Sequence, residues 1–323
     1  RADSLRWLQH AAMASSVEKP AQRVGSAWTG ESRVRIALLG DSTLDNKLWV
    51  EKRTPSVTEH LRGKISNGRM GEHAAATWTC HNLAVDGALI NAVHDQLTRL
   101  LPAEPTYAIV SVGGNNGLGL LGEIENGALA TSPLRLASAV HSILTSLRRS
   151  YEAMLDAVQA RCGRVILCGF YAPCHLGRFA GGHHGGARRV LRRLATATGV
   201  AALNHMVASV SRQRRLPLID LRAVFDSEWD YANPIEPSAQ GGDKISENIL
   251  HVIGVHPFDG QGQHQVYTRR EFSQPPYAYA ASVRGEDKSS YLTEEQAAYN
   301  RSADNAAYRS TIENEQPWRN RDA

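Results

Sequence analysis

The sequence lacks any uninterrupted apolar stretch of about 18 residues, the length that a membrane-spanning helix requires. Aromatic residues make up only 7% of the chain and do not alternate with its arginines, which argues against a stacking surface for nucleic acid. Apolar residues reach 42% and charged residues 21%, with a net charge of +4, so global disorder is excluded. We therefore expect a globular chain with no transmembrane segment and no nucleic-acid partner.

Cysteine is also scarce, with 4 residues at irregular spacings in a chain of 323. This number and spacing do not indicate a disulfide framework, so we expect a reducing, intracellular compartment. One alternative stays open, in which Cys174-His175 and His183-His184 together bind a metal ion, although their spacing matches no common zinc pattern. The favoured expectation is a chain with neither a metal nor an organic cofactor.

The two ends of the chain differ from its middle in amino-acid composition. Residues 1–32 combine a short amphipathic stretch with a polar one, and residues 255–323 are rich in polar residues without apolar periodicity. A segment of that composition cannot bury a core of its own, so we expect both extensions to contact protein partners. The start at Arg1 and the excess of arginine over lysine give a further expectation, a mitochondrial location.

Between these ends, short buried-strand patterns alternate with longer helical patterns. The strand patterns cover residues 34–39, 77–83, 107–112, 164–170 and 216–221, and the helical ones include 90–101, 134–160, 186–212 and 238–253. This alternation predicts an α/β domain over residues 33–254, with a parallel central sheet and helices on both faces. In such sheets the ligand lies beyond the carboxyl ends of the strands.

Three residues whose groups can take part in catalysis follow predicted strands. Ser42 stands after Gly40-Asp41, where a strand-to-helix turn can expose its hydroxyl. Gly87 stands where a backbone N–H can approach an oxyanion, and Asn115 can aim its carboxamide at the same point. Each feature alone is weak, but their order on successive strand ends predicts a serine nucleophile with an oxyanion hole.

The same motifs carry a family resemblance. Leu39-Gly40-Asp41-Ser42, Val85-Asp86-Gly87-Ala88 and the run from Ser111 to Asn116 stand in the order of the serine, glycine and asparagine blocks of one enzyme superfamily. Over about residues 33–253 the sequence resembles the GDSL or SGNH hydrolases. The resemblance implies a three-layer, flavodoxin-like SGNH-hydrolase fold, a nucleophilic Ser42, and Gly87 and Asn115 as oxyanion donors.

A closer resemblance is to one branch of that superfamily. The branch has Asp-Asn shortly after Gly-Asp-Ser, here Asp45-Asn46, and an Ala-Val-Asp-Gly-Ala block, here residues 84–88. Its last block is matched by residues 230–242, which read Asp-Tyr-Ala-Asn-Pro-Ile-Glu-Pro-Ser-Ala-Gln-Gly-Gly.

This last block departs from the usual family pattern. A typical member has Asp-x-x-His-Pro there, with histidine as the general base, whereas this chain has Asn233 and Glu236. Glutamate at that position is shared with the closer branch. Asn116 replaces the usual aspartate after the oxyanion asparagine and so removes a carboxylate beside the site.

Several roles for Glu236 remain open at this level. A carboxylate is a poor proton acceptor at neutral pH unless burial raises its pKa, and the neighbouring Asp41 would favour that shift. In a second interpretation Glu236 only fixes its loop by binding backbone amides. In a third, His251 or His256 reaches the serine. However, His256-Pro257 follows the closing helix, and the fold would not place it beside Ser42.

Two functions therefore compete. The first is a GDSL-like esterase or acyl hydrolase that acts on small esters or on acylated carbohydrates and lipids. Its site residues would be Ser42, Gly87, Asn115, Glu236 and Asp41. The second is a catalytically weak or inactive subunit of a larger, mitochondrial complex, suggested by the altered triad and the two extensions.

Overall fold

A computed structural model of the protein describes residues 33–67, 77–100, 105–123, 133–174, 187–258 and 264–268. The N-terminal extension and most of the polar C-terminal segment lie outside these ranges, so their expected partner contacts stay predictions. Within the described ranges, no helix has both the length and the hydropathy for crossing a bilayer.

The described strands are β1 (Arg33–Gly40), β2 (Thr77–Asn82), β3 (Tyr107–Ser111), β4 (Val165–Cys168), β5 (Leu218–Ile219), β6 (Tyr231–Asn233), β7 (Glu236–Pro237) and β8 (Val266–Tyr267). Six of them form one sheet in the order β2-β1-β3-β4-β5-β8, and every pairing in it is parallel. The other two, β6 and β7, form a separate antiparallel hairpin.

The described helices are α1 (Val57–Ser66), α2 (Ala92–Thr98), α3 (Gly114–Glu123), α4 (Pro133–Arg161), α5 (Ala187–Arg214), α6 (Leu221–Val224) and α7 (Ala239–Val255). Buried residues of α1, α6 and α7 join one hydrophobic core, and those of α2, α4 and α5 join a second. The sheet separates the two cores, because Ile36 and Leu38 of β1 belong to the first and Leu39 to the second. The three-layer α/β fold class is thus confirmed.

The order of the strands defines where a ligand would lie. From β1 the chain goes to β2 on one side and then crosses to β3 on the other, so the direction of winding reverses between β1 and β3. In open parallel sheets the crevice beyond the carboxyl ends of two such strands is the usual ligand site. Ser42 follows β1 and Asn115 follows β3, so both candidate residues flank this crevice.

The sheet continues into the segment assigned above to the C-terminal extension. Val266 and Tyr267 pair in parallel with Leu218 and Ile219, and Tyr267 is buried. The parallel fold therefore reaches residue 268 and includes part of the segment after residue 254. Two paired residues are too short a run to produce a detectable strand pattern, which explains why the sequence did not predict β8.

A second difference lies around the asparagine motif. The run Gly113-Gly114-Asn115-Asn116, which was expected only to follow a strand, leads directly into a helix. Helix α3 begins at Gly114, after Gly113 with its positive φ of 118°. The two asparagines therefore lie in the first turn of a helix. Helix α2 is shorter than the predicted 90–101, and Ile90 remains in the preceding turn, where its backbone N–H donates to Oδ1 of Asn116.

Candidate active site

The candidate nucleophile follows a backbone turn that requires glycine. Gly40 ends β1 with a φ of 136°, and a Cβ there would overlap the carbonyl oxygen of Ser111. The backbone N–H of Asp41 donates to that same oxygen over 3.0 Å. The Asp41 carbonyl then accepts from the N–H groups of Leu44 and Asp45 at 3.1 and 3.0 Å, which closes a helix-like turn around Ser42.

A buried carboxamide fixes the residue before this turn. Gln96 of α2 accepts from the Gly40 N–H and donates to the Gly40 carbonyl oxygen, each over 2.8 Å. The Gln96 residue is 1% exposed, so both bonds lie in a dry, low-dielectric environment where they are strong. No local pattern predicts this role, since a glutamine in a short helix is ordinarily a surface residue.

Asp41 is the first of two buried carboxyl groups in this region. Burial raises its pKa from 3.8 to about 6, and the nearby charge of Asp86 adds to the rise. Hydrogen bonds from Thr43 and from the backbone of Gly113 act in the opposite direction and lower it. Its carboxylate also faces Gly114, whose Cβ position lies 3.9 Å from Oδ2. Asp41 therefore connects the serine turn with the start of α3.

This buried carboxyl group predicts a pH-dependent stability. The folded state binds the Asp41 proton more tightly than the unfolded chain does, so folding loses stability as the pH rises from about 4 through about 6. A shift of about two units corresponds to about 3 kcal/mol. Asn at this position stays neutral and keeps an oxygen for the Thr43 N–H. The free energy of unfolding of Asp41→Asn should therefore rise by about 3 kcal/mol relative to that of wild type between about pH 4 and about pH 8.

Urea unfolding of both proteins across that pH range measures the difference. Asp95→Asn on the exposed surface of α2 is the control for removing one negative charge from the molecule. A stability difference between Asp41→Asn and wild type that stays constant with pH would contradict the assignment.

The glycine block and the asparagine block meet beside the serine turn. The N–H of Val85 donates to the Gly40 carbonyl oxygen over 3.0 Å, which attaches the glycine turn to the end of β1. Gly87 occupies this turn with a φ of 78°. The carboxamide of Asn115 donates to the Ala88 carbonyl oxygen over 3.1 Å, so Asn115 adjoins the residue after Gly87. An amide nitrogen carries two N–H groups, and this bond uses one of them.

Asp45 and Asn46 join the loops that surround the serine. Asp45 accepts from the side chain of Asn82 and from the backbone N–H of Asp86, at 2.9 and 3.1 Å. Asn46 is fully buried and accepts from the N–H of Val57 over 2.8 Å, while its amide donates to the carbonyl oxygen of Pro237 over 3.2 Å. The first pair of bonds holds the glycine block, and the second holds the segment that carries Glu236.

Glu236 begins β7 of the hairpin and is 3% exposed. The side-chain oxygen of Asn233 accepts from the N–H groups of Ile235 and Glu236, at 2.9 and 3.0 Å. Asn233 thus fixes the backbone of the turn, whereas the resemblance implied an aspartate that orients a histidine. The hydroxyl of Tyr171 donates to the Ile235 carbonyl oxygen over 2.7 Å and adds a second constraint.

The base of the hairpin is held by a buried ion pair. The ammonium group of Lys244 donates to Asp230 over 2.7 Å and to Asp226 over 2.6 Å, and Asp230 is fully buried. A Cβ at Gly241 would overlap the Asp230 carbonyl oxygen, so this close approach of α7 requires glycine. The hairpin is therefore anchored to α7 and not a free loop.

The histidine alternatives lie elsewhere in the fold. His256 shares a 3.0 Å hydrogen bond with the hydroxyl of Tyr267, and its ring centroid is 4.7 Å from that of Phe258. Phe258 in turn contacts Tyr107, the first residue of β3, at 5.4 Å. His256 is therefore near the amino ends of the strands, opposite Ser42. His251 packs edge-on against the same Tyr267.

The proposed metal ligands are only partly described. Cys174 is buried in the core, while His175, His183 and His184 lie outside the described ranges. In the part of the chain that the structure describes, no group of three His, Cys, Asp or Glu residues is arranged to hold a metal ion.

The structure thus brings the predicted residues to one edge of the sheet. Asp41 and Ser42 lie in the turn after β1, and Gly87 and Asn115 adjoin through Ala88. Tyr171 binds the residue before Glu236, and Asn46 binds the residue after it. Thr43, Gln96 and Tyr171 were missed, because their contribution comes from contacts across the fold and not from a local motif.

The chain is similar to one known protein family and to several solved structures. The family model of the GDSL-like lipase/acylhydrolase family matches residues 38–257. An extracellular lipase from Streptomyces rimosus is 17% identical, with a TM-score of 0.45 over 68% of this chain and 98% of its own. Phospholipase A1 from Streptomyces albidoflavus is 15% identical, with a TM-score of 0.45 over 70% of this chain and 100% of its own.

An acetylxylan esterase from Geobacillus stearothermophilus is 13% identical, with a TM-score of 0.44 over 72% of this chain and 97% of its own. The search of curated proteins found no match. The family model covers well over half of the sequence, from the end of β1 to the end of the last core helix. The chain therefore belongs to the GDSL-like lipase/acylhydrolase family.

Proposed function

We propose that the protein is a serine ester hydrolase in which Ser42 is the nucleophile and Glu236 accepts its proton. The backbone N–H of Gly87 and the carboxamide of Asn115 stabilise the oxyanion. The observation that carries this proposal is the convergence of three strand-end loops at the crevice between β1 and β3. Hydrogen bonds from Val85 to Gly40 and from Asn115 to Ala88 join those loops.

The reaction proceeds in two halves. In the first, the Ser42 oxygen bonds to the ester carbonyl carbon, the carbonyl π electrons move to its oxygen, and the serine proton passes to Glu236. Collapse of the tetrahedral species breaks the bond to the alcohol, which leaves with the proton from Glu236. In the second half, water gives a proton to Glu236 and attacks the acyl carbon, and Ser42 leaves with that proton. Ser42 and Glu236 end in their starting states.

The oxyanion donors follow from the local backbone. The turn at Gly87 and the first turn of α3 are bonded to each other, so an N–H of each can converge on one oxygen atom. Asn115 is 8% exposed, and a donor shielded from water stabilises charge more than a solvated one. No reorganisation is needed when the charge develops, because both donors are already fixed by the fold.

The position of Glu236 supports its assignment as the base. The hydroxyl of Tyr171 donates to Ile235, the residue before Glu236, and the charges of Glu236 and Asp41 both raise the pKa of that phenol, after the larger effect of burial. Asp41 is one residue from Ser42. Glu236 is 3% exposed, so its carboxyl group is shielded from water.

Limited exposure restricts the substrate. Ser42 is 7% exposed, and Phe170 packs against the asparagine block, with its ring 3.2 Å from the Cβ position of Gly113. A small acyl group on an alcohol, carbohydrate or lipid fits such a site better than a bulky one. The proposed chemistry uses only side chains and backbone groups of this chain.

Covalent labelling of the full chain with a fluorophosphonate tests the proposal. The reagent should phosphonylate the peptide that contains Ser42, because only an activated serine attacks it at a useful rate. Labelling should stop after unfolding in urea, which separates activation by the fold from intrinsic serine reactivity. A folded chain that stays unlabelled, or that is labelled at another serine, would contradict the proposal.

The second candidate is a structural subunit of a larger, mitochondrial complex that no longer hydrolyses esters. The observation that favours it is Glu236 at the position of the family's usual base, together with the neutral Asn116 beside the site. Unlabelled Ser42 in a folded chain, combined with a native particle much heavier than one chain, would support this candidate. A free monomer would count against it.

A further inference from the structure

Tyr171 follows the end of β4 at the same edge of the sheet as the candidate nucleophile. The residue before it, Phe170, is held by the buried carboxamide of Asn204 from α5, which accepts from its N–H over 2.9 Å and donates to its carbonyl oxygen over 2.8 Å. A Cβ at Gly169 would lie 2.6 Å from the Asn204 side-chain oxygen, so this approach also depends on glycine. The backbone that presents Tyr171 is therefore fixed.

The ring of Tyr171 is fixed as well. It stacks on Phe225 with centroids 4.4 Å apart and planes at 9°, and it meets Tyr231 edge-on at 5.6 Å. Phe225 and Tyr231 also contact each other at 5.1 Å. Offset-stacked and edge-to-face pairs resist rotation of the ring, so the direction of the Tyr171 hydroxyl is set by packing.

That hydroxyl lies between the two halves of the candidate site. It donates to the carbonyl oxygen of Ile235, the residue before Glu236, over 2.7 Å. The side chain of Thr43, the residue after Ser42, also lowers the pKa of this phenol, against the larger effect of burial. One phenol thus joins the turn of the proposed base to the end of β4, at the edge of the sheet where Ser42 follows β1.

We propose that Tyr171 is a positioning residue that holds the Glu236 turn against the carboxyl edge of the sheet, where Ser42 lies, through its bond to Ile235. The inference rests on the proposed hydrolase function, and Tyr171 acts through its neighbours without touching the substrate. Without the hydroxyl, the carbonyl of Ile235 loses a short hydrogen bond and the turn gains freedom. Misplacement of a catalytic group by about 1 Å lowers a rate by up to about 100-fold.

The test compares Tyr171→Phe with Tyr231→Phe in the full chain. The Tyr231 hydroxyl donates to the Ala172 carbonyl oxygen over 2.7 Å, so each variant removes one phenol bond of equal length from the same aromatic cluster. With p-nitrophenyl acetate as substrate, Tyr171→Phe should lower kcat roughly tenfold while KM changes by less than about twofold. Tyr231→Phe should keep kcat within about twofold of wild type.

A second readout does not depend on catalysis. In hydrogen–deuterium exchange of the peptide that covers residues 231–238, Tyr171→Phe should speed exchange several-fold more than Tyr231→Phe, because the Ile235 carbonyl is no longer held. Equal exchange in the two variants would overturn the positioning role, whatever the activity. If wild type itself neither hydrolyses esters nor reacts at Ser42, the proposed function fails. Faster exchange in Tyr171→Phe alone would even then establish that Tyr171 holds the Glu236 turn.

If wild type is active and the two variants have equal kcat, the link has no catalytic role and the inference is wrong. A rise in KM with unchanged kcat in Tyr171→Phe would also overturn it, because that pattern indicates a binding contact and not positioning of the base.

Discussion

Replacing Ser42 with alanine should lower kcat/KM for p-nitrophenyl acetate by roughly 10³-fold or more, because the covalent route disappears with the hydroxyl. The remaining rate would come from the oxyanion donors at Gly87 and Asn115, which still bind the ester. Folding should be nearly unaffected, since Gly40, Gln96 and Ser111 hold the turn through backbone bonds that alanine at position 42 keeps.

Steady-state hydrolysis by wild type and Ser42→Ala measures the loss of kcat/KM, and unfolding curves for both measure the effect on folding. Ser66→Ala is a suitable control, because its hydroxyl binds the Arg62 carbonyl oxygen at the exposed end of α1. Equal hydrolysis by Ser42→Ala and wild type would show that a different residue is the nucleophile.

Replacing Glu236 with glutamine should lower kcat/KM by about 100-fold or more, because general-base catalysis typically contributes 10²–10⁴-fold. Glutamine has nearly the same shape but cannot accept the serine proton. The turn should survive, since Asn233 holds the backbone N–H of residue 236 and Tyr171 holds the carbonyl of Ile235. The loss should therefore fall on kcat and leave KM within a few-fold.

The matched control is Glu152→Gln on α4, which removes a partly exposed ion pair with Arg148. Hydrolysis that stays within about twofold of wild type in Glu236→Gln would favour the interpretation in which this residue only fixes its loop. Loss of folding in Glu236→Gln, seen as a lower unfolding midpoint, would point to the same structural role.

Much of the fold was predictable because its signals are local. The run 34–39 is a continuous apolar stretch, and its end at Gly40-Asp41-Ser42 is a short motif, so the strand and the serine turn were both expected. Parallel strands place their carboxyl ends together, and this rule alone brought Gly87 and Asn115 to the same edge as Ser42. The family followed from these motifs, and the closer branch stays a prediction.

The contacts that fix the site were not predictable in the same way. Gln96 binds Gly40 across 56 positions of the chain, and Tyr171 binds Ile235 across 64. Such pairs are determined by how helices and loops pack on the sheet, and a single sequence carries no record of that packing. The hairpin around Glu236 was similarly expected only as a loop, because its strands have three and two residues.

The central claim is that the oxygen of Ser42 shares one pocket with the Gly87 N–H and the Asn115 carboxamide. A crystal structure of the phosphonylated protein tests it most directly, since the phosphoryl oxygen imitates the oxyanion. We expect that oxygen about 2.7–3.1 Å from both the Gly87 nitrogen and the Asn115 amide nitrogen. A phosphonyl group on Ser42 whose oxygen contacts neither donor, or an adduct on another residue, would contradict the account.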